Sequence, residues 1–172
     1  MPSSAVAPSS PHPVLLKELP EHARAVEVLV DRAFGPGRFA KSSERLREGN
    51  RKLDDCSFVA LAEGRVIGSV RLWPVTVGGT PVAFLGPLAV DADERSHGLG
   101  QALVEAACAA AAQAGWRAVL LVGDAPYFTR IGFSAGPAAK AIMPGPADQR
   151  RVLVKALVEG GDADLVGPIR IG

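Results

Sequence analysis

Several things are scarce in this chain, and each scarcity removes a class of function. It has two cysteines, Cys56 and Cys108, far apart and in no metal or redox spacing. Cys108 falls in an alanine-rich helical run and Cys56 just before a strand, so both read as buried core residues. Without a secretion signal, a disulfide between them is not expected. An excess of one charge is also missing: 19 Lys and Arg face 18 Asp and Glu, for a formal net charge of +1. A nucleic-acid binder would carry a basic block or stripe, and none is present. No run of about 18 apolar residues exists to span a membrane. The first 13 residues, MPSSAVAPSSPHP, lack the basic start and long apolar stretch of a signal peptide. They read as a flexible arm on a cytoplasmic protein. There is one tyrosine, Tyr127, and the three histidines are His12, His22 and His97.

What remains is an ordinary globular chain. Its 172 residues, 48% hydrophobic and 22% charged, suit one domain over residues 14–172. Val14 to Leu19 reads as a first strand. In EHARAVEVLVDRAFG, the positions Val26, Leu29, Val30, Ala33 and Phe34 share one helix face, and Gly35-Pro36-Gly37 stops that helix. Residues 42–52 read as a second, mostly exposed helix. Ser57–Ala62, Val66–Val77 and Val82–Val90 read as an antiparallel meander, with Gly78-Gly79 as its second turn. Leu99, Leu103, Ala106, Ala107, Ala110 and Ala114 then follow helical spacing, and Gly115 closes that helix. Trp116–Gly123 reads as a buried strand, made parallel to its predecessor by the crossover helix. Asp124–Ile131 reads as a short helix, and Arg151–Val158 as a last strand.

The segment LGPLAVDADERSHGLGQ, Leu85–Gln101, carries the chemistry. A strand runs into a polar loop, and Arg95-Ser96-His97-Gly98-Leu99-Gly100 opens a helix. The first N–H groups of a helix have no internal partners and sit at the positive end of its dipole. Glycines let a pyrophosphate approach those amides, and Arg95 and Gln101 can add side-chain donors. GxxxxGK[ST] is absent, which excludes a P-loop. Position 103 is Leu where the dinucleotide fingerprint needs a small residue.

Arg-x-x-Gly-x-Gly between a strand and a long helix resembles the coenzyme A signature of the GCN5-related N-acetyltransferase (GNAT) family. Two further stretches share the resemblance: the strand VAFLGPLAVD before the loop, and Tyr127-Phe128-Thr129-Arg130-Ile131-Gly132-Phe133 after the next strand. The order of elements matches as well. The likeness covers residues 14–160 or so and is closest to small bacterial predicted N-acetyltransferases. It implies a mixed α/β (α+β) fold: a central, mostly antiparallel sheet, splayed fourth and fifth strands, and flanking helices. It also implies acyl transfer from acetyl-CoA or another acyl-CoA to an amine, with no metal. Backbone groups of Leu88, Ala89 and Val90 would hold the pantetheine arm and the thioester. Arg95, Ser96, His97, Gly98, Leu99, Gly100 and Gln101 would hold the pyrophosphate.

One departure and one open assignment bear on catalysis. The family's usual acid, a tyrosine five residues before the Phe of Gly-Phe, aligns with Phe128. Tyr127, one place earlier, reads either as a substitute acid or as a packing residue. Asp124 reads either as the base or as the N-cap of the short helix. Asp91 and Glu94 are bases or solubilising loop residues, and His97 is a phosphate contact or a solvated histidine. Phe128 keeps a second reading open, a non-catalytic acyl-CoA-binding or regulatory domain on the same fold. Gly132-Phe133-Ser134-Ala135-Gly136 matches the G-x-S-x-G nucleophile elbow, but a helix precedes it, Pro137 follows, and no histidine lies downstream. The acceptor, a small molecule or a protein amine, is not written in the pattern. Neither nucleic acid nor membrane is an expected partner, and a homodimer is left open.

Overall fold

A computed structural model describes residues 12–95 and 97–172. All but the last two residues of the expected N-terminal arm, and Ser96, lie outside the described residues. The strands are β1 (Val14–Lys17), β2 (Phe58–Ala62), β3 (Arg65–Val77), β4 (Thr80–Val90), β5 (Ala118–Val122), β6 (Ala141–Ile142), β7 (Val152–Ala156) and β8 (Gly167–Ile171). The helices are α1 (Ala23–Phe34), α2 (Leu99–Gln113) and α3 (Ala125–Thr129). The main sheet runs β1-β2-β3-β4-β5-β7, with β8 pairing β3 and β6. Neighbours in it are antiparallel except β4 and β5. This is the mixed sheet that the order of elements implied.

Alternation decides what covers each face. Ala83, Leu85, Val119 and Leu121 point to the side covered by α2. Val82, Phe84, Ala118 and Leu120 point to the other side, against Ala138 and Met143, where Val26, Leu29 and Val30 of α1 also cover Ala89. Both faces are therefore buried, and these strands read as near-continuous apolar runs. The α2 helix lies close over β3 at Gly68, where an added Cβ would come within 2.9 Å of the Leu103 side chain.

Three expectations need correction. Residues 42–52 form no full helix: Ser42–Leu46 is a short 3-10 turn. Ser42 and Leu46 are buried within it, so tertiary contacts rather than helical propensity place the segment. The buried face of α2 is Leu99, Leu103, Val104, Ala107, Cys108 and Ala111. Ala114 is exposed instead, because an alanine-rich helix lets the bulkier Val and Cys select the inward face. Strand β8 had no counterpart in the sequence reading: Gly167–Ile171 is short, and only Ile169 is buried in it.

Candidate active site

The split in the sheet begins at Gly86 and Pro87. Strand β4 pairs with β5 only at Ala83–Val119 and Phe84–Leu120. Beyond that point the β3–β4 register shifts, so that Gly86 and Pro87 together oppose Arg71. Such a bulge bends a strand. Gly86 has φ 147°, a conformation open to glycine, and Pro87 has no N–H to give a ladder. The Trp73 indole holds the bend by donating to the Gly86 carbonyl at 2.6 Å. Past the bend, Asp91 N–H donates to the Ile67 carbonyl at 2.8 Å. Antiparallel residues alternate in direction, so Ala89 also faces β3, while Leu88 and Val90 turn their main-chain groups to the open side. Arg95 Nε donates to the Val90 carbonyl there, at 3.4 Å.

A cavity of about 560 Å³ occupies the split. Leu85 to Leu88 of β4 line one wall, and Leu121 to Asp124, with Tyr127 and Phe128, line the other. Phe34, Arg38, Lys41 to Ser43 and Arg47 cover it, and Met143 and Pro146 to Asp148 close the far side. Two contacts clamp this cover in place: Ser42 Oγ donates to the Pro146 carbonyl at 2.5 Å, and Arg45 donates to the Pro144 carbonyl.

The start of α2 lies beside the split. Its N-cap, Gly98, is left-handed at φ 75°, no side chain among the described residues caps it, and its first turn holds no acidic residue. The amides of Leu99, Gly100 and Gln101 are thus left available to an anion. The side-chain donors read from the sequence point elsewhere. Arg95 is on Val90, Gln101 donates to Glu105 at 2.9 Å, and the exposed His97 lies 3.9 Å from Glu94. The Leu99 side chain is in the core.

One residue of helical rotation separates the two aromatic side chains of α3. Phe128 is buried, packed edge-on against Phe133, and so close to Gly123 that an added Cβ there would lie 2.5 Å from its ring. Tyr127 is partly exposed, and its hydroxyl reaches α2: a Cβ on Gly100 would stand 2.8 Å from it, with Val90 and Leu88 next in line. Burial, and then the Glu105 carboxylate, raise the phenol above its ordinary value. Asp124 caps α3, accepting from Tyr127 N–H at 3.3 Å, and lines the cavity as well. Asp91 accepts from Asp93 N–H in its own loop. Cys108 is buried, and burial pushes its thiol up to about 11, which leaves it unreactive. Ser134 exchanges backbone hydrogen bonds with Val154 and is followed by a 3-10 turn, not a helix, so the nucleophile elbow is absent. Among the described residues, no group of three or more His, Cys, Asp or Glu is placed to hold a metal, and no helix is long and apolar enough to cross a membrane.

The sequence reading missed Arg38, Lys41 and Arg47, which only the folded cover brings to the cavity. It passed over Gly86-Pro87 too, although a proline inside an apolar strand signals a bulge or an edge.

The parallel step from β4 to β5 thus opens into a slot just past it, flanked by the start of α2. A family model for the acetyltransferase (GNAT) family matches residues 23–133, more than half of the chain. An Escherichia coli (strain K12) protein described as an uncharacterized N-acetyltransferase, YhbS, is 35% identical over 124 residues, covering 67% of this chain and 70% of that protein. The crystal structure of Escherichia coli YhbS in complex with CoA superposes with a TM-score of 0.80 at 28% identity, over 95% of this chain and 93% of that one. A GNAT family acetyltransferase from Brucella melitensis, in complex with acetyl-CoA, gives a TM-score of 0.61 at 27% identity, over 83% and 94%. The chain belongs to the GNAT acetyltransferase family.

Proposed function

We propose that this protein transfers an acyl group, acetyl in the first instance, from acyl-CoA to an amine by direct attack on the thioester. The observation that carries the reading is the slot itself: open-side main-chain groups of Leu88 and Val90 on one wall, and the uncapped start of α2 beside them. The crystallised relatives, bound to CoA and acetyl-CoA, support it. Acyl-CoA supplies an activated carbonyl. The main-chain N–H of Leu88 is aimed to receive the negative charge that develops on that oxygen. The amides of Leu99, Gly100 and Gln101 receive the pyrophosphate. Tyr127 holds its proton at neutral pH, because its phenol is raised rather than lowered, and can give it to the departing sulfur. Phe128, buried against Phe133, leaves that task to its neighbour. Asp124, at the cavity wall, is the candidate to take the proton of the incoming amine. On the same reading the protein is a single domain over residues 14–172, working in the cytoplasm.

Isothermal titration of acetyl-CoA into wild type and Gly98→Trp tests the donor site. The tryptophan would stand where the anion sits, and the left-handed Gly98 suits no bulky residue. Affinity is expected to fall about a hundredfold, roughly 3 kcal/mol out of the 8 kcal/mol of a micromolar complex. Equal affinity in the two proteins would reject the assignment.

A further inference from the structure

Two guanidinium groups on the cover of the cavity have donors that nothing on the donor side accounts for. Arg47 follows the turn Ser42–Leu46, and its side chain is only 10% exposed. Its Nε and Nη2 donate to Glu44 Oε2 at 3.3 and 2.8 Å. Its Nη1 makes no hydrogen bond among the described residues, and it lies 2.9 Å from the position a Cβ on Gly86 would take, hard against the bend of β4. Arg38, 9% exposed, donates from Nη2 to Glu27 at 2.8 Å and lies 3.0 Å from Asp31. Its Nε is buried without a partner among the described residues. The enclosed Arg38 Nε is costly until an acceptor arrives, and the guanidinium donors of both residues suit a carboxylate.

The acids on the cavity wall do not meet this need. Asp124 caps α3, and Asp148 pairs with Arg150 at 3.0 Å. Burial pulls the Arg47 guanidinium below its ordinary value, and the hydrogen bond to Glu44 offsets only part of that pull. A second anion would complete its environment. Gly86 and Leu88 are two residues apart on an extended strand, at most about 7 Å. A carboxylate on Arg47 therefore leaves room for a short carbon link to an amine at the thioester.

We propose that the acceptor is a small primary amine that also carries a carboxylate, bound through Arg47 with Arg38 behind it, its apolar part against Phe34 and Met143 on the same cavity. This deepens the acyl-transfer reading and rests on it. The class is that of amino acids, and the product is an N-acylated acid.

Binding of the product side tests this without turnover. N-acetylglycine, N-acetylphenylalanine and their carboxamides are titrated into CoA-saturated protein. The acids are expected to bind at least about tenfold tighter than the matching amides, the scale of one charge-assisted hydrogen bond. That preference is expected to vanish in Arg47→Gln and to persist in part in Arg47→Lys. Equal binding of acids and amides, no saturable binding of any acid, or a preference that survives Arg47→Gln overturns the proposal. If Arg47→Gln does not fold, the acid-to-amide ratio of wild type decides alone. Titration of acetyl-CoA by itself separates the two levels. Failure to bind it defeats the acyl-transfer reading and this proposal together. Donor binding without acid preference defeats only the acceptor assignment.

Discussion

The two walls of the cavity are built on different terms. The β4 wall offers backbone: the open-side main-chain groups of Leu88, just past the bulge at Gly86-Pro87. The cover offers side chains drawn from distant parts of the chain, with Ser42 and Arg45 tied to the carbonyls of Pro146 and Pro144. Backbone donors sit wherever the strand sits, so a hydrophobic pattern is enough to place them. Side-chain donors exist only while the packing beneath them holds. Single substitutions should therefore alter the acceptor side easily and the donor side only through shape.

The strongest test of that contrast removes the support under the cover. Arg71 donates to Glu18 at 2.8 and 3.0 Å and to Glu27 at 2.8 Å, and the Glu18 side chain is fully enclosed. Arg71→Ala should lower stability by about 3–5 kcal/mol, because it strands a buried carboxylate. Lys52, 3.7 Å from Glu18, offsets part of this. Denaturant unfolding measures the loss, and a shift below about 1 kcal/mol would mean that the network is ornamental. The Glu27 carboxyl has a matching pH signature. Burial acts to raise it, but the hydrogen bonds from Arg38 and Arg71 prevail and hold it lowered. Its contribution to stability is thus present in full above the ordinary carboxylate range and is lost as pH falls through its lowered value. Wild type should lose stability there, and Glu27→Gln should flatten that part of the curve.

Tyr127 sharpens the comparison at the point where the walls meet. Tyr127→Phe should lower kcat about 10- to 100-fold and leave the affinity for acetyl-CoA unchanged, as expected for a group that acts only in the transition state. Gly100→Ala should do much of the same damage, since its methyl would meet the Tyr127 hydroxyl. The double variant should then be scarcely worse than either single one, and full additivity would show that the two do not share one function. With the phenol raised, any loss of rate from its ionisation belongs above pH 10, and Tyr127→Phe should remove that limb. The smallest effect is expected at Ser134, whose backbone is paired with Val154 away from any elbow. Ser134→Ala should keep full activity, and a fluorophosphonate should not label Ser134 in wild type.

The parts that could be read from residues alone are those with local causes. Leu85–Gln101 announces strand, loop and helix start in one stretch, and Gly78-Gly79 makes its hairpin with positive φ at both positions. The alternation in β4 and β5 follows from period two. Spacing did not decide the face of α2, where alanines made several faces equivalent. It also left residues 42–46 looking like a polar helix, because the burial of Ser42 and Leu46 depends on a loop a hundred residues away.

By itself, the sequence determined most of the order of elements, though not the turn at 42–46 or β8, together with the parallel step between β4 and β5 and a glycine-opened start of α2. Each of these is set by neighbours within a few turns of chain. The tertiary structure alone decided that the Tyr127 hydroxyl points to the slot beside Gly100, since one residue of helix rotation is fixed by how Phe128 packs on Gly123 and Phe133. It alone brought Arg47 against the bend of β4 and Arg38 to the cavity, because buried charges take their positions from partners such as Glu27 and Glu44 that no period in the sequence links to the strand.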